Sequence, residues 1–213
     1  MGRLGLLGTA LLAMSLAIGT SSAAEGEPYR LRGTLVGVDD RLLTIMNDDE
    51  ETFEVVLTEE TGVFAVTPGK WSDIQPGQFV GVTSIESGDQ RVALEVHIFA
   101  EDLRGTGEGH YPWDLVKDPN MMTNATIAEI EEVSAAERQL RLIYTEGEGE
   151  NAVQGEQVIT VPDFVDVVFL EKNEDPGLFV PDRRVFLFVQ EAEQGPPAAI
   201  AVAVGVEGAI PPM

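Results

Sequence analysis

Within VALEVHIF, residues 92–99, lies a five-residue alternation that returns 106 positions later as IAVAV, residues 200–204, and this recurrence decides the fold. Apolar and other residues alternate in both, the period-two signature of a strand with one buried face. Leu94, Val96 and Ile98 match Ile200, Val202 and Val204 and are expected to face a core, with Ala93, Glu95, His97 and Phe99 on the opposite face. Outward from this strand, one order of short β-branched segments is written twice. Thr34 and Leu35 match Thr126 and Ile127 at a shift of 92, and Leu43 and Ile45 match Leu140 and Leu142 at 97. Val55 and Leu57 match Ile159 and Val161 at 104, and Pro76, Val80 and Val82 match Pro181, Val185 and Leu187 at 105. The shift grows only across loops, chiefly through the Gly/Glu-rich residues 146–156, as expected of a duplicated module. Each copy holds about six short strands, the content of a small closed barrel, and closure removes exposed strand edges. The expected fold is therefore all-β: two tandem OB-like barrels at 25–103 and 122–208, joined by a junction at 104–121 and followed by a tail at 209–213. One β-sandwich built from both repeats is the alternative.

The N-terminus reads as a cleaved export signal: Arg3, an apolar run from Leu4 to Ile18, and a small-residue ending at Ser22-Ala23-Ala24. Residues 1–24 are then removed, and the mature chain is periplasmic or secreted. That run is shorter than the roughly 20 residues a spanning helix needs, and no later segment is apolar enough, so no membrane embedding is expected. With no cysteine, disulfides, thiolate metal sites and Cys nucleophiles are excluded. Thirteen basic against 37 acidic residues give a net charge of −24, which repels nucleic acid and suits a surface adapted to high salt.

The junction concentrates the chemistry. Glu95 and His97 stand i and i+2 on one strand face, about 6–7 Å apart by strand rise, and their counterparts in the second copy are Ala201 and Ala203. The polar pair therefore has a local purpose. After it comes GTGEGHYPWD, residues 105–114, whose glycines allow the chain to turn back so that Glu108, His110 or Asp114 could meet Glu95 and His97. Two imidazoles with carboxylates suit zinc or copper(II), and Met121 and Met122 would favour copper(I). A structural junction with Trp113 packed between the modules is the plainer reading. Phe99, Tyr111 and Trp113 could also form an aromatic patch that docks another envelope protein. Dinucleotide and phosphate loops fail on context, because Pro112 and Trp113 block a helix after the glycines. No Gly-x-Ser-x-Gly occurs, so binding is expected rather than catalysis. Asn124-Ala125-Thr126 has the form of a glycosylation sequon but sits at an expected strand start.

LEVHIF (residues 94–99), RGTGEGHYPWDL (104–115) and MTNATI (122–127) resemble a family of exported bacterial proteins of uncharacterised function that share this junction between two small β modules. Automated labels sometimes give its members as metal transporter permeases. The resemblance implies the two-module fold and hints at metals, while the lack of any spanning segment is at odds with a permease.

Overall fold

In the computed structural model, which describes residues 27–147 and 149–211, the alternating segments become twelve strands, and no α-helix occurs among the described residues. The expected export signal, residues 1–24, lies outside the described residues. In chain order the strands are β1 (Tyr29–Asp39), β2 (Leu42–Met46), β3 (Thr52–Pro68), β4 (Phe79–Ser87), β5 (Gln90–Phe99) and β6 (Gly109–Trp113). The second half supplies β7 (Asn120–Ser134), β8 (Glu137–Glu146), β9 (Val153–Pro162), β10 (Asp166–Lys172), β11 (Arg184–Gln190) and β12 (Ala198–Gly205).

The strands form five-stranded rings, but each ring draws on both halves of the chain. β1, β2 and β3 make an antiparallel meander; β3 then pairs in parallel with β12, β12 with β11, and β11 returns to β1. Numbered within a repeat, this is the 1-2-3-5-4 order of an OB-like Greek-key barrel. The second ring is its mirror in sequence: β7, β8 and β9 form the meander, β5 and β4 complete it, and β9 meets β5 through Val92 and Thr160. Segments 25–103 and 122–208 thus carry the two repeats, yet neither segment closes a barrel with its own strands. Each lends its last two strands to the other.

A pseudo-twofold axis follows from the register. β3 and β10 pair antiparallel, with Val66 opposite Leu170, and these two residues are repeat equivalents at the shift of 104. One copy of the interface is therefore the image of the other. Ala201 pairs with Gly62 just as Glu95 pairs with Asp166.

Burial follows the alternation. The first ring encloses Leu35, Leu43, Ile45, Val55, Leu187 and Val202, all fully buried. The second encloses Val80, Val82, Val96, Leu140, Leu142 and Ile159. A third apolar cluster, including Val66, Phe79, Phe99, Leu170 and Phe186, lies between the two rings and glues them together. One expectation fails locally. A bulge pairs Thr83 with Glu95 and Ser84 with Ala93, so Leu94 drops out of register; Ala93 enters the core and Leu94 is only half-buried.

Candidate functional site

Strand parity decides where the junction side chains go. In the second barrel Val80 and Val82 of β4 point inward, as do Val96 and Ile98 of β5, so Gly81, Thr83, Glu95 and His97 project from the outer surface. That surface faces the first barrel rather than water. Glu95 is 4% exposed and His97 1%.

The pair is tightly bonded. Thr83 donates both its backbone N–H (3.0 Å) and its hydroxyl (2.6 Å) to Glu95 Oε1, and Glu95 Oε2 lies 3.2 Å from His97 Nδ1. A carboxylate oxygen can only accept, so Nδ1 carries the hydrogen of this bond and the other ring nitrogen, Nε2, is turned away from Glu95. The Nε2–Cε1 side of the imidazole lies over Gly81, where any Cβ would overlap both the ring and the Asn124 side-chain oxygen. Phe99 packs edge-on against the ring at 4.8 Å.

The junction itself is structured. A 3-10 turn at Glu101–Leu103 and three glycines of positive φ, Gly105 (φ 87°), Gly107 (φ 58°) and Gly109 (φ 145°), reverse the chain into β6, which pairs with the edge of β7. Because His110 is directly opposite Thr123, and Thr123 shares the inward parity of Ala125 and Ile127, His110 points to the interior side of the second barrel. Its Nδ1 is 2.8 Å from Thr123 Oγ1, and its ring lies 6.1 Å from that of Tyr144. Burial, reinforced by the charge of Arg91 and opposed by Glu146, lowers the His110 pKa from its ordinary value. The two histidines therefore sit on opposite faces of one sheet.

The remaining metal candidates divide in the same way. Met122 is buried beside the pair, its sulfur 4.0 Å from the Thr83 hydroxyl, whereas Met121 has the opposite parity. Glu108 accepts the Thr145 backbone N–H at 2.8 Å. Asp114 accepts from Arg32 at 2.7 Å and pairs with Arg30 at 3.0 Å. Burial alone would raise the Asp114 pKa, but the hydrogen bonds from Arg32 and Arg30, with their charges, outweigh it and hold the carboxyl below its ordinary value. Among the described residues no three His, Asp or Glu side chains gather as metal ligands would.

The three aromatic docking candidates turn inward. Phe99 is buried; Tyr111 and Trp113 are half-buried, and all three line a cavity of about 230 Å³ between the barrels. Arg30 lies 3.8 Å over the Trp113 ring, so the clamp on Asp114 also seats the indole. The first barrel contributes Phe186, Phe188, Ala201 and Ala203 to the opposite wall, and Phe64 and Leu170 close the side near the pseudo-axis. His97 and Asn124 supply polar groups, with the Tyr111 hydroxyl at the rim.

Symmetry makes the asymmetry of this cavity legible. Gly81 pairs with His97 in one barrel as Phe186 pairs with Ala203 in the other, and Thr83 pairs with Glu95 as Phe188 pairs with Ala201. One copy places small residues beneath a polar pair; the other places large rings beneath two alanines. Phe186, Phe188, Gly81 and Thr83 are not among the residues the sequence singles out, although the shift of 105 that aligns β4 with β11 would have exposed them. Asn124, the sequon residue, is buried instead, its amide donating to Thr106 O and Tyr111 Oη at 3.2 Å each.

Of the buried side-chain polar atoms without a hydrogen-bond partner among the described residues, three belong to residues of this cavity: His97 Nε2, Asn124 Oδ1 and Trp113 Nε1. Such atoms are rare in native proteins and cost about 1–3 kcal/mol each. Comparison with protein-family models, with curated proteins and with solved structures returned no match to the chain. Among the described residues no helix is long and apolar enough to cross a membrane.

Proposed function

We propose that the chain is a binding protein whose site is the cavity between its two barrels, and that it holds one small organic molecule there without transforming it. The observation that carries this reading is the coincidence of aromatic walls with three unpaired buried polar atoms, the composition of a small-molecule pocket. An apolar cavity of about 150 Å³ takes benzene, so about 230 Å³ has room for roughly two fused rings. No serine, cysteine or lysine lines the cavity, so the Glu95–His97 pair has no nucleophile of those kinds to activate there. With the export segment expected at residues 1–24, such a protein would capture its ligand outside the cytoplasm.

Trp113 provides the assay. Titration of naphthalene into the full chain carrying Trp71→Phe, which leaves Trp113 as the only indole, should quench its fluorescence along a one-site isotherm. Ala203→Leu, which pushes a larger side chain into the cavity, should abolish the isotherm while the protein stays folded. Non-saturable quenching, or the same isotherm in a folded Ala203→Leu protein, would overturn the reading.

A further inference from the structure

We infer that the ligand is a neutral aromatic molecule carrying a hydroxyl or N–H donor, and that the Glu95–His97 pair exists to accept that hydrogen; this rests on the cavity being the binding site. The hydrogen bonding defines the polarity. In the tautomer we assign, Nδ1–H is spent on Glu95 Oε2 and Nε2 is an acceptor; the second orphan, Asn124 Oδ1, is an acceptor as well. Both stand against Gly81, so they are neighbours at one place in the cavity lining. A single donor on the ligand can reach that place. The third orphan, the Trp113 indole N–H, offers a hydrogen to an oxygen or ring nitrogen.

Charge removes the alternatives. An anion would approach the buried Glu95 carboxylate and a carbonyl oxygen inside a protein of net charge −24. An organic cation would suit aromatic walls in general, but here Arg30 already covers Trp113 at 3.8 Å and Arg32 lies 4.9 Å from the Phe186 ring centroid. Those ring faces are already taken. A neutral ring system with one donor meets none of these penalties.

Glycine 81 is part of the device. Its counterpart Phe186 shows that the fold accepts a large side chain at this position, while a Cβ here would displace the imidazole. His97 reaches the cavity only over a glycine.

The experiment compares 2-naphthol, 2-methoxynaphthalene and naphthalene on the full chain by Trp113 fluorescence, with 1-naphthylmethylammonium as the cationic probe. Satisfying a buried acceptor should make 2-naphthol bind about tenfold tighter than naphthalene, and 2-methoxynaphthalene, which keeps the oxygen and loses the hydrogen, should show no such gain. In Glu95→Ala/His97→Ala, which installs the alanines of the second copy and leaves Asn124 Oδ1 as the remaining acceptor, the preference for 2-naphthol over naphthalene should fall to about threefold or less. Equal binding of all three neutral probes to the wild-type chain, or preference for the cation, would overturn the inference while leaving the cavity as a binding site. Binding of none of them would overturn both. The wild-type comparison stands by itself should the double variant fail to fold.

Discussion

Replacing Glu95 with alanine tests whether the polar pair is a fixed part of the native state. Glu95 is 4% exposed and accepts hydrogens from Thr83 N, Thr83 Oγ1 and His97 Nδ1. Its removal strands up to three buried donors. At about 1–3 kcal/mol for each unsatisfied group, with the hydroxyl free to rotate and the imidazole free to change tautomer, the expected loss is about 3–5 kcal/mol. For a chain of this size that lowers Tm by about 10 °C. Glu95→Gln keeps the volume and an oxygen for Thr83, and its amide can donate to the other His97 tautomer, so it should cost only about 1 kcal/mol. In Glu95→Ala/His97→Ala the imidazole donor is gone together with its acceptor. The double variant should therefore be about 1–2 kcal/mol more stable than the sum of the two single losses implies. Urea unfolding followed by circular dichroism reads the wild type, Glu95→Ala, Glu95→Gln, His97→Ala and the double variant. A loss below about 1 kcal/mol for Glu95→Ala, or strict additivity in the cycle, would show that the pair is solvated in the native state and refute the reasoning.

Four further outcomes follow from the topology and the charges. Residues 27–116 or 117–211 expressed alone should lack cooperative unfolding, whereas the two segments co-expressed should assemble as a one-to-one complex, because each barrel takes strands from both; a folded, monomeric half would contradict the exchange. Asp114→Ala should release the end of β6 from Arg30 and Arg32 with a stability loss of about 1 kcal/mol or less, since the ion pair is half-exposed, yet speed amide hydrogen exchange at residues 109–113. The same clamp should persist on mild acidification. A carboxyl held below its ordinary pKa contributes stability above that ordinary value and loses it only as pH falls through the lowered one. His110, also lowered, contributes stability above the ordinary imidazole range and loses it as pH drops through its lowered pKa. His110→Asn should therefore flatten the decline of Tm on the acid side of about pH 6.5, and an unchanged profile would count against its burial as a neutral ring.

Much of the fold is legible in local patterning, because strand formation depends on alternation and turn chemistry that a short window contains. The doubled order of segments, the OB-like strand content and the outward parity of Glu95 and His97 against Val96 and Ile98 all come from that source. The comparison with Ala201 and Ala203 even marks the polar pair as the asymmetric feature of the duplication. What local pattern lacks is the identity of the pairing partner. Every strand edge in one repeat is chemically competent to pair with its own repeat or with the other, and only the packed interface around Val66, Phe79, Leu170 and Phe186 selects the exchange. The same gap governs the site. That His110 lies across the sheet from His97 depends on β6 meeting β7 with His110 opposite Thr123, a register set by the positive-φ glycines and by the Asp114 clamp. A bulge one residue long moved Leu94 out of the core for the same reason, since it arises between two strands and belongs to neither alone. Sequence by itself determined which residues alternate, where the chain turns and which polar groups the duplication does not require; tertiary structure decided which faces meet, because hydrogen-bond pairing between distant edges and the filling of the space between two barrels are set by contacts that no local stretch contains.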